Sequence, residues 1–231
     1  NEFAGEIEAI GENVKSFKPG DKVFGYNDIK FGAHAEYMIM AENDPITTLP
    51  SNITYEEAAP ITEGAHYALC DIRAAKIRSG QNILINGATG AIGSATVQLV
   101  KYLGAEVTAV CDTKNVELVK SLGANEVIDY TRQDFTKINK TFDIVFDAVG
   151  KSSFGKCKPL LRKGGIYMST ELGYMSQNPF LALVTPFLGG KKVLFPIPTI
   201  TKEDVIFLKG LVEAGHYKPV IDRQYPLDQI I

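Results

Sequence analysis

The sequence predicts an α/β chain built on a doubly wound parallel sheet and preceded by an all-β segment. Three observations carry this expectation. From about residue 54 onward, short and nearly continuous apolar runs alternate with amphipathic ones, the pattern of parallel strands covered by helices on both faces. The stretch Asn82–Gly104, NILINGATGAIGSATVQLVKYLG, reads as strand, glycine-rich turn and helix, with Gly104 as the stop. Before Thr54 no helix of useful length is readable, and the alternation there has a period of two, as in a barrel or sandwich fragment.

Taken in order, Phe3, Gly5, Ile7 and Ala9 alternate with polar neighbours and predict a half-buried strand. Lys18-Pro19-Gly20-Asp21 is a turn, since proline fixes φ and glycine supplies φ > 0. Val23–Tyr26 and Ala35–Met40 read as the next strands, and Leu49-Pro50-Ser51-Asn52 breaks the pattern. Thr54 with Glu57 makes a capping box that opens a helix, and a second helical run covers Gly64–Ala75. The core strands are expected at Asn82–Asn86, Glu106–Cys111, Glu126–Asp129, Phe142–Ala148, Gly165–Ser169 and Lys192–Phe195. The helices between and after them are expected at Ala91–Leu103, Val116–Leu122, Ser153–Leu161, Pro179–Phe187 and Glu203–Ala214.

The turn Gly87-Ala88-Thr89-Gly90-Ala91-Ile92-Gly93 carries the chemistry. Glycines let an anion approach the backbone, and a helix N-terminus offers unpaired N–H groups and partial positive charge, so the natural ligand is a dinucleotide pyrophosphate. The spacing is either G-x-G-x-x-G with Ala88 at the first position, or G-x-x-G-x-x-G on Gly87, Gly90 and Gly93. Asp112 ends the second core strand, near the spacing of about 20 residues expected of a ribose-binding acid. An acid there favours NAD, whereas Lys114 and the Thr113 hydroxyl favour the 2′-phosphate of NADP. Tyr130, Asp147-Ala148-Val149-Gly150 and Met168-Ser169-Thr170 fall at or beyond strand carboxyl ends, where ligands of open α/β sheets bind. Asp147 either lines the cofactor or makes an end-of-strand hydrogen bond to the next turn.

Composition narrows the remaining classes. The 231 residues have a net charge of −3, which provides no basic field for nucleic acid. Cys70, Cys111 and Cys157 are widely spaced and read as buried thiols of a reducing compartment, so a cytoplasmic protein is expected. No apolar run reaches the ~18 residues of a membrane span, and no membrane association is expected. His34, His66 and His216 are isolated in sequence and do not suggest a metal site; His66 reads as a surface or interface histidine, or as one facing the cofactor cleft. The chain begins inside a strand-like alternation and ends on what looks like a first helical turn, so flanking sequence is expected on both sides.

Several runs together carry a family resemblance: GDKVFG (20–25), AEY (35–37), GATGAIG, SLGANEVIDY (121–130) and FDAVG (146–150). They resemble the medium-chain dehydrogenase/reductase superfamily, and most of all its zinc-independent, quinone-oxidoreductase-like branch. The resemblance implies a partial GroES-like catalytic domain at 1–54 and a Rossmann dinucleotide-binding domain at 55–200. It implies at 201–231 a final Rossmann helix and the start of a return to the catalytic domain. The implied activity is hydride transfer from NAD(P)H to a quinone, an enone or a carbonyl compound. Implied cofactor-binding residues are Thr62, Gly87, Ala88, Gly90, Ala91, Ile92, Gly93, Asp112, Thr113, Lys114, Tyr130, Val149, Gly150 and Ser169; no catalytic residue is identified. Zinc is not expected, because Asn1 stands where zinc-dependent members have His and Ile61 stands near their Cys ligand. Members that prefer NADPH have a small residue where this chain has Asp112.

Relatives pair a late strand across a dimer axis, which makes Lys191–Ile200 a candidate homodimer edge. The short-chain dehydrogenases share a similar turn but need a Tyr-x-x-x-Lys after it; here that spacing occurs only at Tyr26 and Lys30, well before the turn. A protein of the same fold that binds NADPH without turnover is the alternative function.

Overall fold

The computed structural model describes residues 1–27 and 32–229; Lys30 of the rejected Tyr-x-x-x-Lys spacing lies outside them. In chain order the elements are β1 (Glu2–Glu6), β2 (Lys22–Tyr26), β3 (Ile46–Thr48), α1 (Tyr55–Ala58), α2 (Thr62–Ala75), β4 (Asn82–Asn86), α3 (Ala91–Tyr102) and β5 (Glu106–Cys111). There follow α4 (Val116–Ser121), β6 (Glu126–Asp129), β7 (Phe142–Asp147), α5 (Phe154–Cys157), β8 (Leu161–Ser169), α6 (Gln177–Val184), β9 (Lys192–Leu194) and α7 (Lys202–Glu213). Short 3-10 turns extend several helices, among them Lys158–Leu160 after α5 and Thr185–Leu188 after α6. The chain divides into two compact units, one formed by Asn1–His66 with Thr199–Ile231 and the other by Tyr67–Pro198.

In the first unit β1, β2 and β3 form an antiparallel sheet. Its apolar side gathers Phe17, Val23 and Ile46, with Phe3, Ile7, Val14 and Met40 packed against them. The capping box forms as the sequence reads: Glu57 N–H donates to Thr54 Oγ1 (3.3 Å) and Thr54 N–H donates to Glu57 Oε2 (3.1 Å). A cap of this kind is worth about 1 kcal/mol. α7 starts with a second capping box, on Thr201 and Asp204, and its Lys209 donates to Thr48 Oγ1 at 2.6 Å. Ala35–Met40 is not a strand. Alternation nominates a strand, but only a ladder partner makes one, and these residues join no ladder among the described residues.

The second unit is a six-stranded parallel sheet in the order β6-β5-β4-β7-β8-β9. Counted along the chain this is the 3-2-1-4-5-6 order of a Rossmann sheet, which reverses direction of winding between β4 and β7. The apolar runs behave as read: Ile83, Leu84, Ile85, Ile144 and Val145 are all fully buried. A cluster of Leu84, Val110, Phe142, Val145, Leu161 and Tyr167 forms the centre of one layer. β8 is longer than its sequence suggests. It pairs with Phe142 through Leu161, bulges over the next residues, and resumes at Ile166 opposite Ile144. Within that irregular stretch Gly164 takes φ +75°. Winding the sheet in this order places the ends of β4, β5, β6, β7 and β8 along one edge, where the candidate residues of this unit lie.

Candidate functional site

The site is built on the turn between β4 and α3. The Gly87 and Ala88 N–H groups both donate to Val110 O on the neighbouring strand (3.2 and 3.1 Å), and Gly90 N–H donates back to Gly87 O (3.3 Å). Gly87 holds φ +82°, and a Cβ on it would lie 2.3 Å from Val149 Cγ1. A Cβ on Gly93 would lie 2.0 Å from Gly87 O. These two glycines are required by packing alone, Gly87 by its conformation as well. Gly90 is different. Its φ is −71°, it is the N-cap of α3, and no side chain caps the helix there. A Cβ on it would meet only Gly87 O, at an ordinary 3.8 Å.

The turn therefore leaves open space at the one glycine that faces the uncapped first-turn N–H groups of a three-turn helix. That is the cradle a dinucleotide pyrophosphate fits. Ala88 is fully buried and its N–H is already held, so it shapes the turn from below. Ala91 and Ile92 supply the first backbone N–H groups of α3.

At the end of β5, Asp112 accepts from Asn115 Nδ2 at 2.6 Å and pairs with Lys114 Nζ at 3.7 Å. Thr113 donates to Asp129, which stands beside Cys111 at the end of β6. Asp129 also accepts from Thr131 Oγ1 at 2.7 Å and pairs with Arg132 at 3.4 Å. The hydroxyls of Thr113 and Thr131 hold its carboxyl below the usual carboxylate range. Sequence reasoning missed Asp129, although its position one strand from Asp112 was legible. The two acids and the exposed cations Lys114 and Arg132 make a mixed-charge patch at this edge. Tyr130 is anchored by its N–H to Cys111 O (3.0 Å) while its side chain is 57 % exposed.

Asp147 is fully buried. It accepts from Asn86 Nδ2 (2.9 Å), Ser152 N–H (2.7 Å), Val149 N–H (3.4 Å) and Tyr167 OH (3.4 Å). Of its two readings, the end-of-strand hydrogen bonds are the ones formed: the carboxylate staples the Val149-Gly150 turn to the sheet. Gly150 holds φ +63°, with the Glu171 side chain where its Cβ would be. Ser169 closes β8 and is buried, its hydroxyl accepting from Glu171 N–H at 3.3 Å.

Thr62 belongs to the first unit. It is fully buried, with its hydroxyl 3.3 Å from Glu2 Oε1 and 3.4 Å from Gly25 O. Glu2 also accepts from Glu63 N–H at 2.6 Å, and burial pushes its carboxyl up to about 7. His66 is neither a surface residue nor a free ring. It is buried at 3 % exposure against the Tyr26 ring, 4.7 Å between centroids, with Nδ1 3.1 Å from Thr62 O. Asn1 donates to Tyr26 OH at 3.2 Å, and Ile61 is fully buried. An amide and an alkyl chain do not supply the His and Cys donors of a catalytic zinc, so these two positions do not fit that metal. Cys111 and Cys157 are buried, and burial pushes both thiols up to about 11, which makes neither a thiolate nucleophile.

Residues 1–51 match the family model described as alcohol dehydrogenase GroES-like domain, and residues 122–231 match the one described as zinc-binding dehydrogenase. The chain is 33% identical over 97% of its length to 2-methylene-furan-3-one reductase of Solanum lycopersicum, of which it spans 56%. It is 31% identical over 99% of its length to a chloroplast envelope quinone oxidoreductase homolog of Arabidopsis thaliana, of which it spans 72%. Among solved structures, a quinone oxidoreductase from Coxiella burnetii superposes with a TM-score of 0.85 at 25% identity, covering 99% of this chain and 71% of that one. Matches at both ends of the chain and across its whole length lead to one conclusion: the chain belongs to the medium-chain dehydrogenase/reductase superfamily, in its quinone-oxidoreductase-like branch.

Proposed function

We propose that this chain carries the cofactor-binding part of an NAD(P)H-dependent oxidoreductase that reduces a quinone, an enone or a carbonyl compound without zinc. The observation that carries the reading is the open space at Gly90, set against the crowding at Gly87 and Gly93 in the same turn. Packing explains two of the glycines, and a phosphate explains the third. The names of the Solanum and Arabidopsis relatives supply the substrate class.

Each residue has a task in this reading. The Ala91 and Ile92 N–H groups and the α3 dipole hold the pyrophosphate. Asp112, with Thr113 beside it, receives a ribose hydroxyl, and Lys114 is available to a 2′-phosphate. Val149 and Gly150 border the middle of the dinucleotide, on a turn that Asp147 makes rigid. The cofactor, when bound, supplies a transferable hydride. Oxyanion stabilisation falls to hydrogen-bond donors, since Asn1 and Ile61 offer neither the His nor the Cys donor of a catalytic zinc.

Oxidation of NADH and NADPH by a panel of quinones and enones tests the reading. Turnover with at least one acceptor is expected; tight cofactor binding with no oxidation of any acceptor would leave a non-enzymatic dinucleotide-binding protein instead.

The same reading includes a homodimer. β9 is an edge strand of the sheet, and near it Phe180, Leu183, Phe187 and Ile197 are 65 to 88 % exposed. Sedimentation should give twice the chain mass, and a monomer at micromolar concentration would contradict it. No helix among the described residues is long and apolar enough to cross a membrane.

A further inference from the structure

A second feature of the Rossmann unit adjoins the site described above, with which it shares Ser169. A small cavity of about 160 Å³ opens beyond the carboxyl end of β8, between Asp71 of α2, Ser169-Thr170, and the segment Phe195-Pro196-Ile197-Pro198 that follows β9. Asp71 is only 5 % exposed, and its Oδ1 is buried with no hydrogen-bond partner. Buried carboxyl oxygens are normally satisfied, so an orphan in a cavity wall points to a donor that comes from outside the chain. The facing segment cannot easily supply one. Two of its four residues are prolines, which have no N–H to give.

Position identifies the donor. The sheet order reverses between β4 and β7, so a dinucleotide with its pyrophosphate over the β4 turn sends one half toward β5 and β6 and the other toward β7, β8 and β9. The β5–β6 edge carries the acids and hydroxyls of Asp112, Thr113 and Asp129, suited to a ribose. The cavity lies on the opposite half. The group that arrives there is the nicotinamide ring, whose primary carboxamide brings two N–H donors and one acceptor.

We infer that Asp71 accepts a hydrogen bond from the nicotinamide carboxamide N–H₂ in this cavity, and so selects the carboxamide over ring substituents that lack the amine. The inference rests on the proposed dinucleotide-binding function. Burial pushes the Asp71 carboxyl up to about 7, and in either protonation state one oxygen is left to accept. The residue holds the ring's substituent; it takes no part in hydride transfer.

Calorimetric titration of the full chain tests this. The ligands are NADH, its thionicotinamide analogue, which keeps the amine, its 3-acetylpyridine analogue, which replaces the amine by methyl, and ADP-ribose, which has no ring. Wild type is expected to bind the acetylpyridine analogue about tenfold more weakly than NADH, and the thionicotinamide analogue nearly as well as NADH. Asp71→Ala should bind all three dinucleotides alike while its affinity for ADP-ribose stays unchanged. Asp71→Leu, which refills the space, serves the same comparison if the alanine variant folds poorly. Undiminished discrimination in both variants, with ADP-ribose still bound, would overturn the role of Asp71 alone. Failure of wild type to bind any of the four ligands would overturn the dinucleotide reading and this inference with it.

Discussion

Val149 occupies the space that a side chain on residue 87 would need: a Cβ on Gly87 would sit 2.3 Å from Val149 Cγ1. Two loops from adjacent strands, β4 and β7, are thereby locked together at the edge of the sheet proposed to hold the cofactor. Gly87→Ala should cost about 2–5 kcal/mol, from a left-handed backbone at φ +82° and from overpacking. Val149→Ala added to it should recover part of that loss, since only the steric share depends on Val149. Thermal or urea unfolding of the single and double variants measures the coupling; strictly additive losses would show that the loops do not press on each other.

What was legible from sequence, and what was not, divides along physical lines. The parallel core was legible because strands covered on both faces have no polar face, and Ile83-Leu84-Ile85 could hardly be anything else. The turn was legible because glycine spacing is set by local backbone geometry. Asp71 was not: an acid in the α2 pattern reads as a solvated position, and only the fold buries it. Asp147 was ambiguous for the same reason, its four donors coming from residues 86 to 167. The false strand at 35–40 shows the converse, a correct local pattern to which the described structure gives no ladder.

Cofactor preference should respond to Asp112. Its carboxylate is held by Asn115 and Lys114 at the end of β5; in the proposed site it would repel a 2′-phosphate and leave Lys114 partly neutralised. Asp112→Ser should shift the ratio of NADPH to NADH affinity toward NADPH by about tenfold. Paired titrations on both proteins measure it. An unchanged ratio would show that Asp112 does not face the ribose.

Stability should depend on pH through Asp71. Its carboxyl is pushed by burial from 3.8 to about 7, so the folded state binds the proton more tightly than the unfolded chain does. Between about pH 4 and 7 the folded state holds more protons, and this group's contribution to stability falls as pH rises. Asp71→Asn removes that dependence. Relative to wild type at pH 4, the variant should gain on the order of a few kcal/mol by pH 8. The comparison must be a difference between the two proteins, because Asp129 and Asp134, with lowered values, slope the other way. Equal pH profiles for the two proteins would contradict the burial of a titrating carboxyl at this position.

The central claim is that Gly90 is a glycine for the sake of a phosphate, and substitution by aspartate separates that from every structural role. Gly90 is the uncapped N-cap of α3 at φ −71°, a position where aspartate caps well and costs the fold nothing, gaining a few tenths of a kcal/mol. The same carboxylate would stand where the pyrophosphate lies. Titration of NADH and NADPH into Gly90→Asp should therefore show at least about a hundredfold loss of affinity, with a melting temperature equal to or above that of wild type. Unchanged dinucleotide affinity in a stably folded Gly90→Asp protein would contradict the assignment of this turn as the cofactor site.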